Sequence, residues 1–98
     1  MIGSKIRLSE YQVAIIKAEV NKVDCAAKVY LFGSRVDDDA LGGDIDILVM
    51  SSHIDFSKKI KIQAQLFIKL DEQQVDLLIA KNADKPFVKL ALLDAVLL

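Results

Sequence analysis

Three aspartates lie where the sequence otherwise predicts apolar β-strands. Asp44 and Asp46 open the apolar segment 44–50, and Asp76 is the single acid in the segment Val75–Ala80. Side chains alternate between faces along a strand, so Asp44 and Asp46 share a face, about 6.6 Å apart along the chain. Carboxylates inside a sheet are costly and repel one another unless something compensates their charge. The three side chains therefore predict a site for divalent cations.

The ligand type of this predicted site indicates its chemistry. Oxygen ligands suit Mg²⁺, which takes one or two protein carboxylates together with substrate phosphates. Two such ions about 3.5–4 Å apart can activate an attacking oxygen and stabilise a leaving oxygen in an in-line displacement. A same-face pair of carboxylates with a third from a neighbouring strand supplies the ligands. The pattern thus predicts transfer of a phosphoryl or nucleotidyl group with Mg²⁺, and two ions fit it.

A Gly-Ser-Arg turn precedes the carboxylates in the chain. Gly33 and Ser34 end the predicted strand 28–32 and Arg35 follows them. Glycine lets the backbone approach a phosphate closely, while the serine hydroxyl and nearby amides can donate to phosphate oxygens. The Arg35 guanidinium can neutralise further phosphate charge. We therefore expect a phosphate-binding turn here, although the following loop is acidic at residues 37–39 and the role of those acids is open.

The elements that would position these residues follow from periodicity and capping signals. Ser9 and Gln12 form a capping box for a helix over residues 9–22. Strands are predicted at 28–32, 44–50 and 75–80, with a second helix that ends near Leu70 and a last helix capped by Asp84. Apolar stripes on the second and last helices are expected to close the core: Ile60, Ala64, Phe67 and Leu70, then Phe87, Leu90, Leu93 and Val96. The order α-β-β-α-β-α predicts one α/β or α+β domain over residues 1–98.

Composition narrows the choice of partners and compartment. The formal net charge is -1, which gives no overall attraction to nucleic acid or to an anionic membrane surface. Cys25 is the lone cysteine, so an intrachain disulfide is excluded and a reducing, cytoplasmic setting is expected. Neither a signal peptide nor a membrane span is expected. A calcium loop starting at Asp37 is also excluded, because Leu48 stands where its closing glutamate is required.

The motif GSR-x8-DIDILV, followed by an isolated aspartate in VDLLI, resembles that of the minimal nucleotidyltransferases. These MNT-type domains belong to the DNA polymerase beta-like superfamily, and the resemblance covers nearly the whole chain. It implies a small mixed β-sheet flanked by helices. It also implies a nucleoside triphosphate, ATP or another, used with Mg²⁺ to transfer a nucleoside monophosphate and release pyrophosphate.

The resemblance also implies a role for each residue of the motif. The Gly-Ser-Arg turn matches the phosphate-gripping segment, with its arginine at a less strict position. Asp44 and Asp46 match the metal-binding pair. Asp76 matches the third carboxylate, which holds the catalytic metal and can help to deprotonate the acceptor hydroxyl.

Two functions remain open at this level. MNT-type domains are often encoded beside a small helical protein of the HEPN type, where they act as antitoxins and in some cases AMPylate that partner. This chain would then be an active nucleotidyltransferase acting on such a partner. Alternatively, it would be a catalytically idle antitoxin that neutralises a helical partner by binding it. Because no acceptor-binding domain follows the last helix, the acceptor is expected to be met by another chain or by a second copy.

Overall fold

The computed structural model describes residues 8–32 and 45–98. Within those residues, three helices flank a four-stranded mixed sheet, as the α+β expectation required. The elements in chain order are α1 (Glu10–Val23), β1 (Lys28–Phe32), β2 (Ile45–Met50), α2 (Phe56–Lys69), β3 (Val75–Ala80), α3 (Pro86–Asp94) and β4 (Val96–Leu97). None of the helices in these two ranges is long and apolar enough to cross a membrane.

The sheet has the strand order β3-β2-β1-β4. β2 runs parallel to β3, and α2 forms the crossover between them, whereas β1 is antiparallel to both β2 and β4. β2 is central, and its residues Ile45, Ile47, Leu48 and Val49 are fully buried. A strand covered on both faces needs apolar residues at successive positions, which confirms the prediction for this segment.

Each face of the sheet packs against different helices. Ile45, Ile47 and Val49 of β2 point to the face where α1 and α2 supply Ile16, Val20, Ile62 and Leu66. Leu48 points to the opposite face, where it packs with Val88 and Ala91 of α3. Strand alternation therefore divides β2 between a large core beneath α1 and α2 and a smaller core beneath α3.

The predicted helix starts were right for α1 and wrong for α3. In α1 the Ser9 amide donates to Gln12 Oε1 and the Gln12 amide donates to Ser9 Oγ, at 3.0 and 3.1 Å, so the capping box is present. In α3 the N-cap is Lys85 rather than Asp84, and it makes no side-chain cap bond. The reason is Pro86, which occupies the first helical position and holds the residue before it in an extended conformation.

The apolar stripe predicted to bury α2 was largely the wrong one. Ile62, Leu66 and Leu70 pack on the sheet, whereas Ile60 is 48% exposed and Phe67 is also exposed. The two stripes differ by a rotation of about one side-chain position on the helix, and both are apolar. Only the packing against the sheet distinguishes them, because helix periodicity is satisfied by either.

The stripe predicted for the last helix was also wrong. Val88 and Ala91 face the sheet, while Leu90 and Leu93 are 64% and 77% exposed. The helix ends at Asp94, so Val96 belongs to β4 and pairs with Leu31 of β1. The short turn into β4 fixes the rotation of α3, and it leaves the leucines on the outer surface.

Glu19 is a buried carboxylate that joins α1 to α2. Its exposed fraction is 6%. Lys69 Nζ donates to Glu19 Oε2 at 2.6 Å, and Lys22 Nζ donates to the same oxygen at 2.9 Å. Burial raises the pKa of Glu19, but the hydrogen bonds from Lys69 and Lys22 outweigh it and leave that pKa below its usual value.

Glu19→Gln is expected to destabilise the fold by about 1 kcal/mol at pH 7, since both lysine head groups are largely solvated. The folded pKa of Glu19 is lowered, so its charge stabilises the fold above the unfolded pKa of about 4.3. That stability is lost as pH falls through the folded pKa. Urea unfolding at a series of pH values should show the variant and the parent converging in acid. Glu10→Gln, an exposed position on the same helix, is the control, and a gap that persists in acid would contradict the assignment.

Candidate active site

Asp46 and Asp76 are direct register partners on neighbouring parallel strands. Partners in a parallel ladder point to the same side of the sheet, and adjacent strands lie about 4.8 Å apart. The structure thus brings together a carboxylate from β2 and a carboxylate from β3, which the sequence only suggested. Oxygen donors at this separation can share a divalent cation.

The pair lies on the face that α3 covers. Ile45 and Ile47, on either side of Asp46 in the chain, point into the core beneath α1 and α2, so Asp46 points to the other face. Asp46 is half-buried and Asp76 is exposed. The carboxylates are therefore more accessible than the expected position inside a buried sheet, and substrate phosphates can reach them from solvent.

Phe32 borders the carboxylates on the β1 side. It is the antiparallel register partner of Asp46, and its ring contacts Phe87 of α3 edge-on, with centroids 6.3 Å apart. This contact brings the start of α3 over the same part of the sheet. Gly33 follows Phe32 directly in the sequence. The predicted phosphate-binding turn therefore begins one residue after a residue that pairs with Asp46.

Four of the predicted site residues lie outside the described residues: Gly33, Ser34, Arg35 and Asp44. The acidic residues 37–39 lie outside them as well. The roles of all these residues stay predictions. Asp44 is adjacent to Ile45, the first residue of β2, so its prediction still depends on strand alternation from Asp46.

Other buried carboxylates of the chain have structural partners. Asp24 accepts from Ser51 Oγ at 2.5 Å and from the Ala26 amide at 3.0 Å, and these bonds, the Ser51 hydroxyl foremost, lower the pKa of Asp24. Glu19 holds both ion pairs found in the described residues. In the same residues no lysine or arginine pairs with Asp76. Its position in β3 therefore has no explanation from structural ion pairing.

The donor set fits Mg²⁺ as far as the described residues extend. Across residues 8–32 and 45–98, no group of three or more His, Cys, Asp or Glu side chains could hold a metal ion. Asp46 and Asp76 supply two carboxylates, and Mg²⁺ needs only one or two from the protein. Asp44 is the predicted third ligand.

A cavity of about 430 Å³ opens on the same face, between the end of β3 and the start of α3. Its polar lining comes from Lys81, Asn82 and Lys85, and Phe87 forms part of its wall. The sequence did not predict this cavity. Polar residues between a strand and a proline-started helix have the pattern of an ordinary connection, and no spacing rule distinguishes one that lines a pocket.

Comparison with known proteins agrees with this arrangement. Residues 14–98 match the family described as Polymerase beta, Nucleotidyltransferase. No curated protein matches the chain. The matched segment contains every described strand, both described carboxylates and the four predicted site residues outside the described part. The chain therefore belongs to the polymerase beta nucleotidyltransferase family.

Proposed function

We propose that the chain is a Mg²⁺-dependent nucleotidyltransferase that moves a nucleoside monophosphate, AMP from ATP, to an acceptor hydroxyl. The observation that supports this most directly is the register pairing of Asp46 with Asp76 on one accessible face. Family membership supports the reaction class, since the matched family is one of nucleotidyltransferases. The choice of ATP and the two-ion arrangement are the further steps of the proposal.

The reaction makes one bond and breaks one. The acceptor oxygen forms a bond to the α-phosphorus of the triphosphate, and the bond from that phosphorus to the α–β bridging oxygen breaks. Pyrophosphate leaves with the electron pair, and the acceptor proton passes to a carboxylate and then to solvent. Bound Mg²⁺ supplies charge neutralisation at the phosphates.

The protein's own residues divide this work by position. Asp46 lies between β1, which leads into the predicted phosphate-binding turn, and β3. Asp76 lies on β3, at the edge of the sheet, and its side chain is exposed. Asp46 is therefore placed to hold a cation against the triphosphate. Asp76 is placed to receive the acceptor proton, because it is the carboxylate that an incoming hydroxyl can reach.

The test combines metal binding with turnover. Mn²⁺ at low stoichiometry is expected to broaden the amide resonances around Asp46 and Asp76 before those of other residues. With Mg²⁺, at least one of the four ribonucleoside triphosphates should then release pyrophosphate and add a nucleoside monophosphate mass to an acceptor. Broadening elsewhere only, together with no pyrophosphate release from any of the four, would overturn the proposal.

A second function is favoured by the outer surface of α3. Leu90 and Leu93 are 64% and 77% exposed, and Phe87 extends the same surface. Exposed apolar stripes of this kind mark protein contacts. We propose that this face binds a small helical protein of the HEPN type, or a second copy of the chain, in a cytoplasmic toxin–antitoxin pair. A complex that survives Asp46→Asn with full neutralisation of the toxin would assign the antitoxin effect to binding rather than to transfer.

A further inference from the structure

The cavity between β3 and α3 has the size and composition of a small-molecule site. Ligand pockets commonly enclose about 300–1,000 Å³ and combine apolar walls with a few polar groups, and this cavity measures about 430 Å³. The residues that the argument uses are Leu78, Phe87 and Val88 in the walls and Lys81, Asn82 and Lys85 among the polar groups.

The polar side chains of the cavity can offer a ligand only hydrogen-bond donors. Lysine ammonium groups donate and never accept. Asn82 has its Oδ1 occupied by the Asp84 amide at 3.0 Å, which leaves the Nδ2 donors for a ligand. Among the described residues, neither Lys81 nor Lys85 forms an ion pair. A ligand for this cavity must therefore carry acceptors, and negative charge suits two unpaired ammonium groups best.

The cavity lies on the acceptor side of the candidate active site. Leu78 is two residues after Asp76 on the same face of β3, a distance of about 6.6 Å along the strand. The predicted triphosphate-binding turn follows β1, which pairs with the opposite edge of β2. A molecule in the cavity thus approaches Asp76 from the side away from that turn.

We propose that this cavity binds the acceptor, a small molecule with an apolar, aromatic-sized body, a carboxylate and a hydroxyl. The carboxylate meets Lys81 and Lys85, the body packs on Phe87, Val88 and Leu78, and the hydroxyl is directed towards Asp76. This inference rests on the proposed nucleotidyl transfer. The hydroxyl oxygen forms the new bond to the α-phosphorus, its proton goes to Asp76, and pyrophosphate leaves.

The test uses two probes of matched shape and opposite charge on the full chain. Amide resonances are followed while 4-hydroxyphenylacetate or tyramine is added, without nucleotide or metal. The anion is expected to shift residues 78–88 saturably, and the cation is expected to leave them unshifted because the lysines repel it. Equal effects of the two probes would overturn the proposal, as would shifts of residues 78–88 with adenosine alone, which would assign the cavity to a nucleobase.

Variants of the lysines test the site directly. Lys81→Met and Lys85→Met should each weaken 4-hydroxyphenylacetate binding about tenfold, the loss expected for one charge-assisted hydrogen bond. Lys89→Met is the matched control, because Lys89 is an exposed lysine of α3 that does not line the cavity. Unchanged affinity in both cavity variants would overturn the proposal.

The two levels of the proposal fail separately. If the anionic probe binds at residues 78–88 but no nucleoside triphosphate is turned over, the nucleotidyltransferase function fails and the anion site stands as a site of another kind. If turnover occurs and the probe does not shift those residues, the acceptor assignment fails and the nucleotidyltransferase function stands.

Discussion

Asp46→Asn is expected to lower the rate of nucleotidyl transfer roughly 10²- to 10³-fold, the range seen when one group that stabilises transition-state charge is removed. Asparagine has almost the same shape as aspartate, so the β2 ladder is expected to form as before. What changes is the charge beside Asp76, its register partner. The measurement is pyrophosphate release with Mg²⁺ and saturating triphosphate, together with Mn²⁺ broadening at Asp76.

The matched control is Glu10→Gln, which makes the same acid-to-amide change on α1 at an exposed position. Because α1 packs on the opposite face of the sheet from Asp46, this control should retain the parental rate. If Asp46→Asn also retains the parental rate, or if Glu10→Gln loses as much activity, the carboxylate pair does not carry the chemistry.

The strands were predictable because local signals bound them on both sides. The segments 28–32 and 75–80 are short apolar runs between polar or turn residues, and the structure places β1 and β3 at the same limits. Short apolar runs with such boundaries leave little choice of length or type. The start of α1 was predictable for a similar reason, since its capping box is a local pattern that tertiary packing had no cause to override.

The rotation of the helices could not be predicted, because it depends on packing between distant segments. α2 carries apolar residues on more than one side, and Ile60 fits the helix period as well as Ile62 does. The sheet selects Ile62, which points into the core with Leu66. In α3 the connection to β4 sets the rotation, and a two-residue strand is too short to be recognised from sequence.

The meeting of Asp46 with Asp76 depends on register, which sequence alone does not specify. The alternation of buried residues fixes which face each carboxylate takes within its own strand. Which residue of β3 lies opposite Asp46 is decided by the α2 crossover and by the packing beneath it. A slip of one residue in β3 would move Asp76 to the face of α1 and α2. The family motif anticipated the pair, but the physical basis for it is the register of β2 and β3.

Leu48→Ala is expected to destabilise the fold by about 2–5 kcal/mol, a large part of the roughly 5–15 kcal/mol available to a domain. Leu48 is fully buried in the central strand and packs with Val88 and Ala91, so its truncation leaves a cavity beneath α3. The same change loosens the contact that holds α3 over the face of Asp46. Urea unfolding followed by circular dichroism measures the loss as a shift of the midpoint with little change in slope.

Leu93→Ala is the matched control, since it removes the same atoms from the same side-chain type in α3. At 77% exposure Leu93 has little packing to lose, and alanine is the better helix former. We therefore expect a change within about 0.5 kcal/mol. The pair of variants also distinguishes the two faces of α3. Similar losses in both would mean that α3 buries the leucine stripe, as its sequence periodicity suggested, and would remove the exposed surface that the partner-binding proposal requires.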